Sequence, residues 1–122
     1  VYSLGHGDAR VNRAVADQMA RVAHGYRYVF TADPLEAMTE IVLAACGPEY
    51  GGIVFVTGGS EAVESALKIA LQYHYDRGEP GRTRFIARAR SWHGNTLMAT
   101  ALSGFADRQR AFAGALPAIG RV

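Results

Sequence analysis

A run of β-branched and aromatic residues, Ile53–Thr57, leads directly into Gly58, Gly59 and Ser60 and then into an amphipathic stretch. This pattern predicts a buried strand, a tight turn and the start of a helix. The first N–H groups of a helix have no partner inside the helix and attract anions. The Ser60 hydroxyl would add a donor, so the turn predicts a site for a phosphate-sized anion. The simpler alternative is an ordinary turn in which Ser60 only caps the helix.

The turn does not match the better-known nucleotide motifs. It lacks the Lys-Ser/Thr pair of a P-loop and the third glycine of a dinucleotide-binding turn. Gly5-His6-Gly7 also fails the dinucleotide pattern, because no strand-like run precedes it. The sequence therefore does not indicate an ATP or NAD site.

Composition and charge describe an ordinary globular chain. The 122 residues are enough for one small domain, and 49% of them are hydrophobic. A net charge of +2 does not indicate nucleic-acid binding, and the strand-end arginines are better explained as solvated. Those arginines are Arg82, Arg84, Arg88 and Arg90. Four histidines without ligand-like spacing predict no metal site.

The chain carries no membrane-length apolar run and no signal peptide, so we expect a cytoplasmic protein without a membrane partner. Its single cysteine, Cys46, excludes an internal disulfide and lies on an apolar helix face, which predicts a buried thiol. The first residue is not methionine, and no terminating element follows Ile119–Val122. We therefore expect the chain to be part of a larger protein.

Two helices are expected in the first half of the chain. Asp8 can cap the first, whose apolar residues recur at helical spacing until His24-Gly25 ends it. The alternation in Tyr26–Phe30 is typical of an extended connector. The second helix combines a cap at Asp33 with proline at the first helical position, and Gly47-Pro48 ends it.

The second half predicts a strand–helix–strand unit. A helix over Ser60–Tyr75 should bury one stripe and pair Glu64 with Lys68 on its other side. A second strand is expected over Thr83–Ala89, with Phe85 and Ile86 in the sheet interior, and a further helix over Asn95–Leu102. Such a unit is almost always a right-handed crossover between parallel strands. The expected stripe consists of Val63, Ala66, Leu67, Ala70 and His74.

Two loops should meet at one edge of this sheet. In parallel sheets the loops at the carboxyl ends of the strands form the ligand crevice. The turn Gly58–Ser60 and the loop Trp92–Gly94 both follow predicted strands. The first offers an anion site, and the second offers a flat aromatic ring and an imidazole. Together they predict a planar, phosphorylated ligand.

These motifs, in this order and spacing, resemble the first third of a class III aminotransferase. Thr57–Glu64 is similar to the phosphate turn of that family, with Gly58 where serine is most common. Ser91–Thr96 is similar to its aromatic-His-Gly-x-Thr loop, with Trp92 in place of the usual tyrosine. The resemblance covers essentially the whole chain. Further matches are Gly5–His24, Phe30-Thr31, Arg110, Phe112 and Pro117.

The resemblance implies an α/β fragment of the aspartate-aminotransferase-like fold, an enzyme fold that binds pyridoxal 5′-phosphate (PLP). Residues 1–30 would form the N-terminal loop and helix, and residues 31–122 an incomplete large domain with the first βαβ unit of its parallel sheet. The resemblance also implies that, in the complete sheet, other strands would lie between these two strands. We therefore expect the fragment to leave strand edges and an apolar face uncovered.

The resemblance also implies roles for five residues. Gly58, Gly59 and Ser60 would hold the cofactor phosphate, with Gly58 keeping a backbone donor but lacking the usual hydroxyl. Trp92 would stack on the pyridine ring, since stacking uses the ring face. The phenol hydroxyl of the usual tyrosine is absent. His93 is either a neighbour that shapes the pocket or a structural residue.

Transamination also requires a lysine that forms a Schiff base with PLP. The only lysine, Lys68, lies about 12 Å along the helix from Ser60, on a face expected to be solvated. The family's lysine and its pyridine-binding aspartate come later in the sequence. We therefore expect the whole protein to be a homodimeric transaminase for an amine or amino acid and a keto acid. This chain alone would hold no catalytic residue and be inactive.

Other functions remain open at this point. An aminomutase or racemase of the same family would use the same cofactor site. A non-catalytic module that binds phosphate ligands is a further alternative, distinguished by whether PLP binding depends on Trp92.

Overall fold

The computed structural model describes residues 3–122, which form two compact units, residues 3–53 and residues 54–122. The first unit contains helices α1 (Ala9–Arg21) and α2 (Asp33–Cys46). Asp8 caps α1 as predicted, because its Oδ1 atom accepts the N–H groups of Arg10 at 2.9 Å and Val11 at 3.4 Å. The helix ends at Arg21, before the predicted end at His24-Gly25.

The start of α2 differs from the prediction by one residue. Ala32 occupies the cap position, and Asp33 is the first helical residue, where its carboxylate pairs with Arg21 at 3.0 Å. The prediction that Asp33 caps the helix is therefore wrong. The predicted end is confirmed, since Gly47 follows the helix with a φ of 111°, a value that favours glycine.

Two other predictions for the first unit are wrong. The Tyr26 carbonyl accepts the N–H groups of both Val29 and Phe30 at 3.0 Å, so this segment is a turn rather than an extended connector. A turn satisfies these backbone groups locally, whereas an extended segment would need a neighbouring strand. Cys46 is exposed rather than buried.

The second unit begins with residues 54–58 and continues with α3 (Gly59–Asp76) and strand β1 (Ile86–Ala87). The short helices α4 (Leu97–Leu102) and α5 (Ala106–Gln109) follow, and then a 3₁₀ helix (Arg110–Ala115) and strand β2 (Gly120–Arg121). Strand β1 lies within the predicted strand Thr83–Ala89 but is much shorter. Helix α4 begins two residues after the predicted Asn95, behind the cap residue Thr96.

Pairing of the strands differs from the simplest strand–helix–strand arrangement. β1 pairs in parallel with β2, with Ile86 opposite Gly120 and Ala87 opposite Arg121. Strand β2 was not predicted, because the sequence at Ile119–Val122 gives no local signal for it. In the described part of the chain, Ile53–Thr57 has no strand pairing. The prediction of a buried strand at Ile53–Thr57 is therefore wrong within residues 3–122, where Val54 and Phe55 are exposed and no neighbouring strand pairs with this segment.

The core of the second unit surrounds α4. The buried side chains of this core belong to Ala87, Ala99, Thr100, Ala101, Leu102 and Ser103. Arg121 donates to the last carbonyls of α4, at 2.7 Å to Leu102 and 2.8 Å to Ser103. These bonds satisfy acceptors that a helix C-terminus leaves unpaired. Strand β2 is thereby tied to α4.

Large apolar surfaces are exposed in both units, which confirms the expectation of uncovered faces. The predicted stripe of α3 is only half-buried, with Ala66 exposed. Ile86 is 73% exposed, so its predicted place in a sheet interior is wrong within this chain. Helix α1 likewise exposes Val15, Met19 and Val22. None of the helices in residues 3–122 combines the length and apolar character that crossing a membrane requires.

Candidate functional site

The site begins at the N-terminus of α3, an 18-residue helix. Gly58 occupies the cap position in extended conformation, with a φ of −161°, and Gly59 is the first helical residue. The N–H groups of Gly59, Ser60 and Glu61 have no carbonyl four residues earlier within the helix. Ser60 is the second helical residue, so the alternative in which Ser60 only caps the helix is wrong.

Glu61 fixes the chain that enters this helix. Its Oε2 atom accepts the Thr57 N–H at 2.9 Å and also the Thr57 hydroxyl. These two hydrogen bonds hold the pKa of the Glu61 carboxyl below its ordinary value, the hydroxyl contributing most. A carboxylate in the first turn is also favoured by the helix dipole. The turn is thus closed by its own side chains, and the first amides of α3 remain for a ligand.

The loop after β1 contacts the start of α3 through Ser60. The Asn95 N–H donates to the Ser60 Oγ atom at 2.8 Å, which leaves the Ser60 hydroxyl hydrogen free to donate elsewhere. Gly94 is buried with a φ of 134°. A Cβ atom at this position would lie 2.5 Å from the Ser60 Oγ atom and 2.9 Å from its Cα. Only glycine therefore permits this approach.

A second hydrogen bond joins the same two segments. The Thr96 hydroxyl donates to the Glu64 Oε1 atom at 2.5 Å. Glu64 is half-buried and used in this contact, and no ion pair with Lys68 forms in the described residues. The predicted Glu64–Lys68 pair is wrong because the Thr96 hydroxyl competes successfully for the carboxylate. Lys68 is exposed.

The two segments enclose a cavity of about 380 Å³. Four of the five residues predicted for the site line it, namely Gly59, Ser60, Trp92 and His93. Gly58 lies outside the lining, one residue before it. The remaining lining residues are Val63, Gly94 and Asn95. The cavity therefore combines helix amides, a hydroxyl, an indole and an imidazole.

His93 is anchored through its backbone. Its N–H donates to the Ser103 Oγ atom at 2.9 Å, and the buried Ser103 hydroxyl donates to the Ala99 carbonyl at 2.9 Å. The Nε2 atom of His93 is buried, and it has no hydrogen-bond partner in residues 3–122. Because buried polar atoms are normally paired, this nitrogen indicates a partner from outside residues 3–122.

Trp92 is held from one side by a residue that the sequence did not indicate. The Arg108 guanidinium lies over the indole, 4.7 Å from the ring centroid, in a cation–π contact. Trp92 is 51% exposed, so much of its surface is open to a ligand. No local pattern connects positions 92 and 108, since the contact depends on how α5 folds back after α4.

The groups around the cavity fit a phosphorylated aromatic ligand. Amides at the start of a helix and the Ser60 hydroxyl are donors suited to phosphate. The indole of Trp92 suits a flat ring. The described residues contain no group of three His, Cys, Asp or Glu side chains that could hold a metal ion.

Comparison with known families and sequences gives one consistent result. The family model described as aminotransferase class-III matches residues 1–122. The uncharacterized aminotransferase YodT of Bacillus subtilis is 36% identical over 110 residues, covering 90% of this chain and 25% of the relative. A probable mitochondrial gamma-aminobutyrate transaminase 3 of Oryza sativa subsp. indica is 35% identical over 104 residues. This match covers 84% of this chain and 20% of the relative. The chain thus spans about a quarter or less of these curated relatives.

Solved structures show the same relationship at the level of fold. An amine transaminase from an uncultivated Pseudomonas species, in its PLP-bound form, is 32% identical with a TM-score of 0.85. The match covers 96% of this chain and 27% of that one. The omega transaminase from Pseudomonas jessenii, in complex with PMP, superposes with a TM-score of 0.88 at 23% identity, over 95% and 26% of the two chains. The predicted fold class, a fragment of the PLP-dependent α/β transaminase fold, is confirmed.

Proposed function

Because the chain belongs to the class-III aminotransferase family, we propose that it forms the phosphate-binding part of a PLP-dependent transaminase. The whole enzyme would transfer an amino group between an amine or amino acid and a keto acid. The observation that supports this proposal most is that Ser60 and Trp92 line one cavity at the N-terminus of α3. A phosphate held by the start of α3 and a ring stacked on Trp92 would thereby lie within the reach of one small molecule.

The phosphate of PLP would lie against the turn before α3. Gly58 and Gly59 place no side chain near the turn, and a Cβ atom at either position would meet nothing within 4 Å. The amides of Gly59 and Ser60 and the Ser60 hydroxyl would donate to the phosphate oxygens. The Asn95 N–H orients that hydroxyl by donating to its oxygen.

The ring of the cofactor would stack on Trp92, with His93 beside it. Since His93 is fixed through its backbone to Ser103, it can shape the pocket without moving. The buried Nε2 atom of His93 would gain its partner from the remainder of the protein or from a bound ligand. PLP, when bound, supplies the electron-withdrawing ring that stabilises negative charge on the substrate carbon.

The remaining parts of the enzyme would come from elsewhere in the protein. Lys68 is exposed and does not line the cavity, so we propose that this chain alone is inactive. We further propose a homodimeric, cytoplasmic enzyme whose large domain begins near residue 31. The apolar residues that α1, α3 and β1 expose would be covered in that assembly.

Titration of PLP into the whole protein, followed by absorbance, tests the cofactor site. We expect S60A to weaken PLP binding about 10-fold, because one charge-assisted hydrogen bond is lost. W92A should weaken binding and change the absorbance band, whereas W92F should restore most of the stacking. Ser65, in the same helix but outside the cavity lining, provides the matched control S65A. Equal PLP affinity in S60A, W92A and wild type would refute the proposal.

Two further measurements separate the alternative functions. A non-catalytic module would bind inorganic phosphate as tightly as PLP, with no dependence on Trp92. A transaminase converts amino donor and keto acid in equal amounts, whereas a mutase or racemase rearranges or inverts one substrate without consuming the other. Product analysis by chromatography distinguishes these reactions.

A further inference from the structure

The backbone of Arg90 has a conformation that residues with a side chain rarely adopt. Its φ is 56°, and within residues 3–122 it is the only residue other than glycine with a positive φ. In this left-handed region the Cβ atom of an L-residue lies too close to the following carbonyl oxygen, and glycine, asparagine and aspartate tolerate it best. An unfavourable residue type therefore stands at this position, two residues before Trp92.

Hydrogen bonds to two different segments fix the residues on either side of Arg90. The Ala89 N–H donates to the Val122 carbonyl at 2.8 Å, which continues the pairing of β1 with β2. The Ser91 carbonyl accepts the Gly104 N–H at 2.9 Å, just after the end of α4. The chain therefore has to change direction at Arg90, between two anchored neighbours.

Gly104 also packs against the backbone of this turn. A Cβ atom at Gly104 would lie 2.2 Å from the Arg90 nitrogen, so the two backbone segments are in direct contact. An unfavourable backbone conformation persists only where the surrounding structure determines it, and such positions are concentrated at functional sites. The surroundings of Arg90 thus impose the left-handed conformation against its own preference.

The side chain of Arg90 does not account for this conformation. Arg90 is exposed, and its guanidinium takes part in none of the ion pairs formed within residues 3–122. Arg108, by contrast, places its guanidinium over the Trp92 indole. The contribution of Arg90 to the fold is therefore the direction of its backbone.

This direction determines where Trp92 lies. A change of φ to a common value of about −65° would rotate the residues after Arg90 by about 120° around its N–Cα bond. After Ser91, the next backbone anchor is the His93 N–H, which donates to the Ser103 Oγ atom at 2.9 Å. Trp92 lies between these two anchors and lines the cavity that contains Ser60. The position of the indole therefore depends on the turn at Arg90.

We propose that Arg90 is a positioning residue, whose left-handed backbone directs Trp92 into the cavity beside Ser60, while its guanidinium has no part in the site. This inference rests on the proposed function, because it concerns the ring that would stack on PLP. It adds a determinant of the cofactor site that acts through the conformation of the chain.

Titration of PLP into the whole protein, followed by absorbance, tests the role of the backbone. A β-branched residue is strongly disfavoured at positive φ, so we expect R90V to weaken PLP binding about 10-fold. R90T makes the same test if R90V does not fold. R90A removes the guanidinium but keeps a Cβ atom, and its affinity should stay within about 2-fold of wild type. The matched control is R88V at an exposed arginine without positive φ, and it should leave the affinity unchanged.

A double-mutant cycle shows whether the effect of Arg90 passes through the indole. In the W92A background, R90V or R90T should change PLP affinity less than about 2-fold, because the ring that it displaces is already absent. An equal loss in both backgrounds would overturn the inference. So would wild-type affinity in R90V and R90T, or a loss in R90A as large as in R90V, which would assign the effect to the guanidinium.

Thermal unfolding of the apoprotein tests the backbone conformation without PLP. Glycine adopts a positive φ without steric cost, so we expect R90G to melt about 2 °C above R90A. R88G should melt no higher than R88A, because glycine brings no such relief at a negative φ. If R90G melted no higher than R90A, the inference would be refuted. If R90G melted higher but W92A bound PLP as tightly as wild type, the proposed function would fail instead, which distinguishes the two failures.

Discussion

Residues 3–53 and residues 54–122 are stabilised by different kinds of contact. In the first unit the contacts are short in sequence, such as Asp8 with Arg10 and Thr31 with Glu36. Neither α1 nor α2 contains a buried residue. In the second unit hydrogen bonds join positions 35 and 32 residues apart, from Ser60 to Asn95 and from Glu64 to Thr96.

The difference shows that contacts between segments distant in sequence, and not local helix signals, form the candidate site. Local caps and apolar spacing are enough to define two helices, but they do not create a site. The cavity beside Ser60 exists because two segments distant in sequence approach to van der Waals contact. The second unit should therefore respond strongly to single changes at its contacts, and the first unit weakly.

The largest effect is expected from G104A. A Cβ atom at Gly104 would lie 2.2 Å from the Arg90 nitrogen and 2.8 Å from the Ala89 carbonyl carbon, so the backbone itself would have to move. We expect G104A to destabilise the whole protein by about 3 kcal/mol in urea unfolding. G114A provides the control, because a Cβ atom there meets nothing within 4 Å. Equal stability of the two variants would contradict the close contact.

A double-mutant cycle on Glu64 and Thr96 tests the link between the two segments of the site. We expect E64A and T96V to show a coupling energy of about 1 kcal/mol in urea unfolding, because they share one half-buried hydrogen bond. The matched control cycle combines E64A with K68A, the pair that helical spacing alone predicts. We expect the coupling energy of that pair to be close to zero. If the coupling energy of Glu64 with Lys68 were larger than that of Glu64 with Thr96, Lys68 and not Thr96 would be the main partner of Glu64.

The smallest effect is expected in the first unit, at the cap of α1. Hydrogen bonds from the Arg10 side chain and backbone hold the pKa of Asp8 below its ordinary value of 3.8. A depressed pKa stabilises the folded state above that ordinary value, and this contribution is lost as the pH falls through the folded-state pKa. The protection of the Arg10 amide against hydrogen exchange, measured relative to the intrinsic exchange rate at each pH, should therefore decrease on acidification below about pH 4.

The variant D8N separates the charge from the cap. Asparagine caps helices about as well as aspartate but does not titrate. We expect D8N to retain protection of the Arg10 amide and to lose the part of the acid response that wild type shows. The same loss of protection in D8N and wild type would show that Asp8 is not the titrating group.

Much of the first unit could be predicted because its signals are local. Asp8 and Gly47 mark the start of α1 and the end of α2 by rules that involve only neighbouring residues. Asp33 was misplaced by one position, since its carboxylate pairs with Arg21 rather than capping α2. The turn at Tyr26 and the exposure of Cys46 were missed, because both depend on what packs, or does not pack, beside the chain.

The site could be predicted in outline. The turn before α3 and the loop containing Trp92 carry recognisable residues, and both line one cavity although Ile53–Thr57 forms no strand in residues 3–122. The Thr96–Glu64 bond, strand β2 and the position of Arg108 were not predictable. Each of these depends on a contact between positions for which no short sequence pattern exists.

The sequence by itself determined the helices α1, α2 and α3, the glycine-rich turn and the aromatic-His-Gly loop, because propensity, capping and backbone freedom act within a few residues. Only the tertiary structure decided that Gly94 approaches Ser60 closely enough to exclude a side chain. It also decided that the Arg108 guanidinium lies over the Trp92 indole. Such contacts form between segments that are remote in sequence. Their stability comes from close packing and burial and not from the conformational preferences of neighbouring residues.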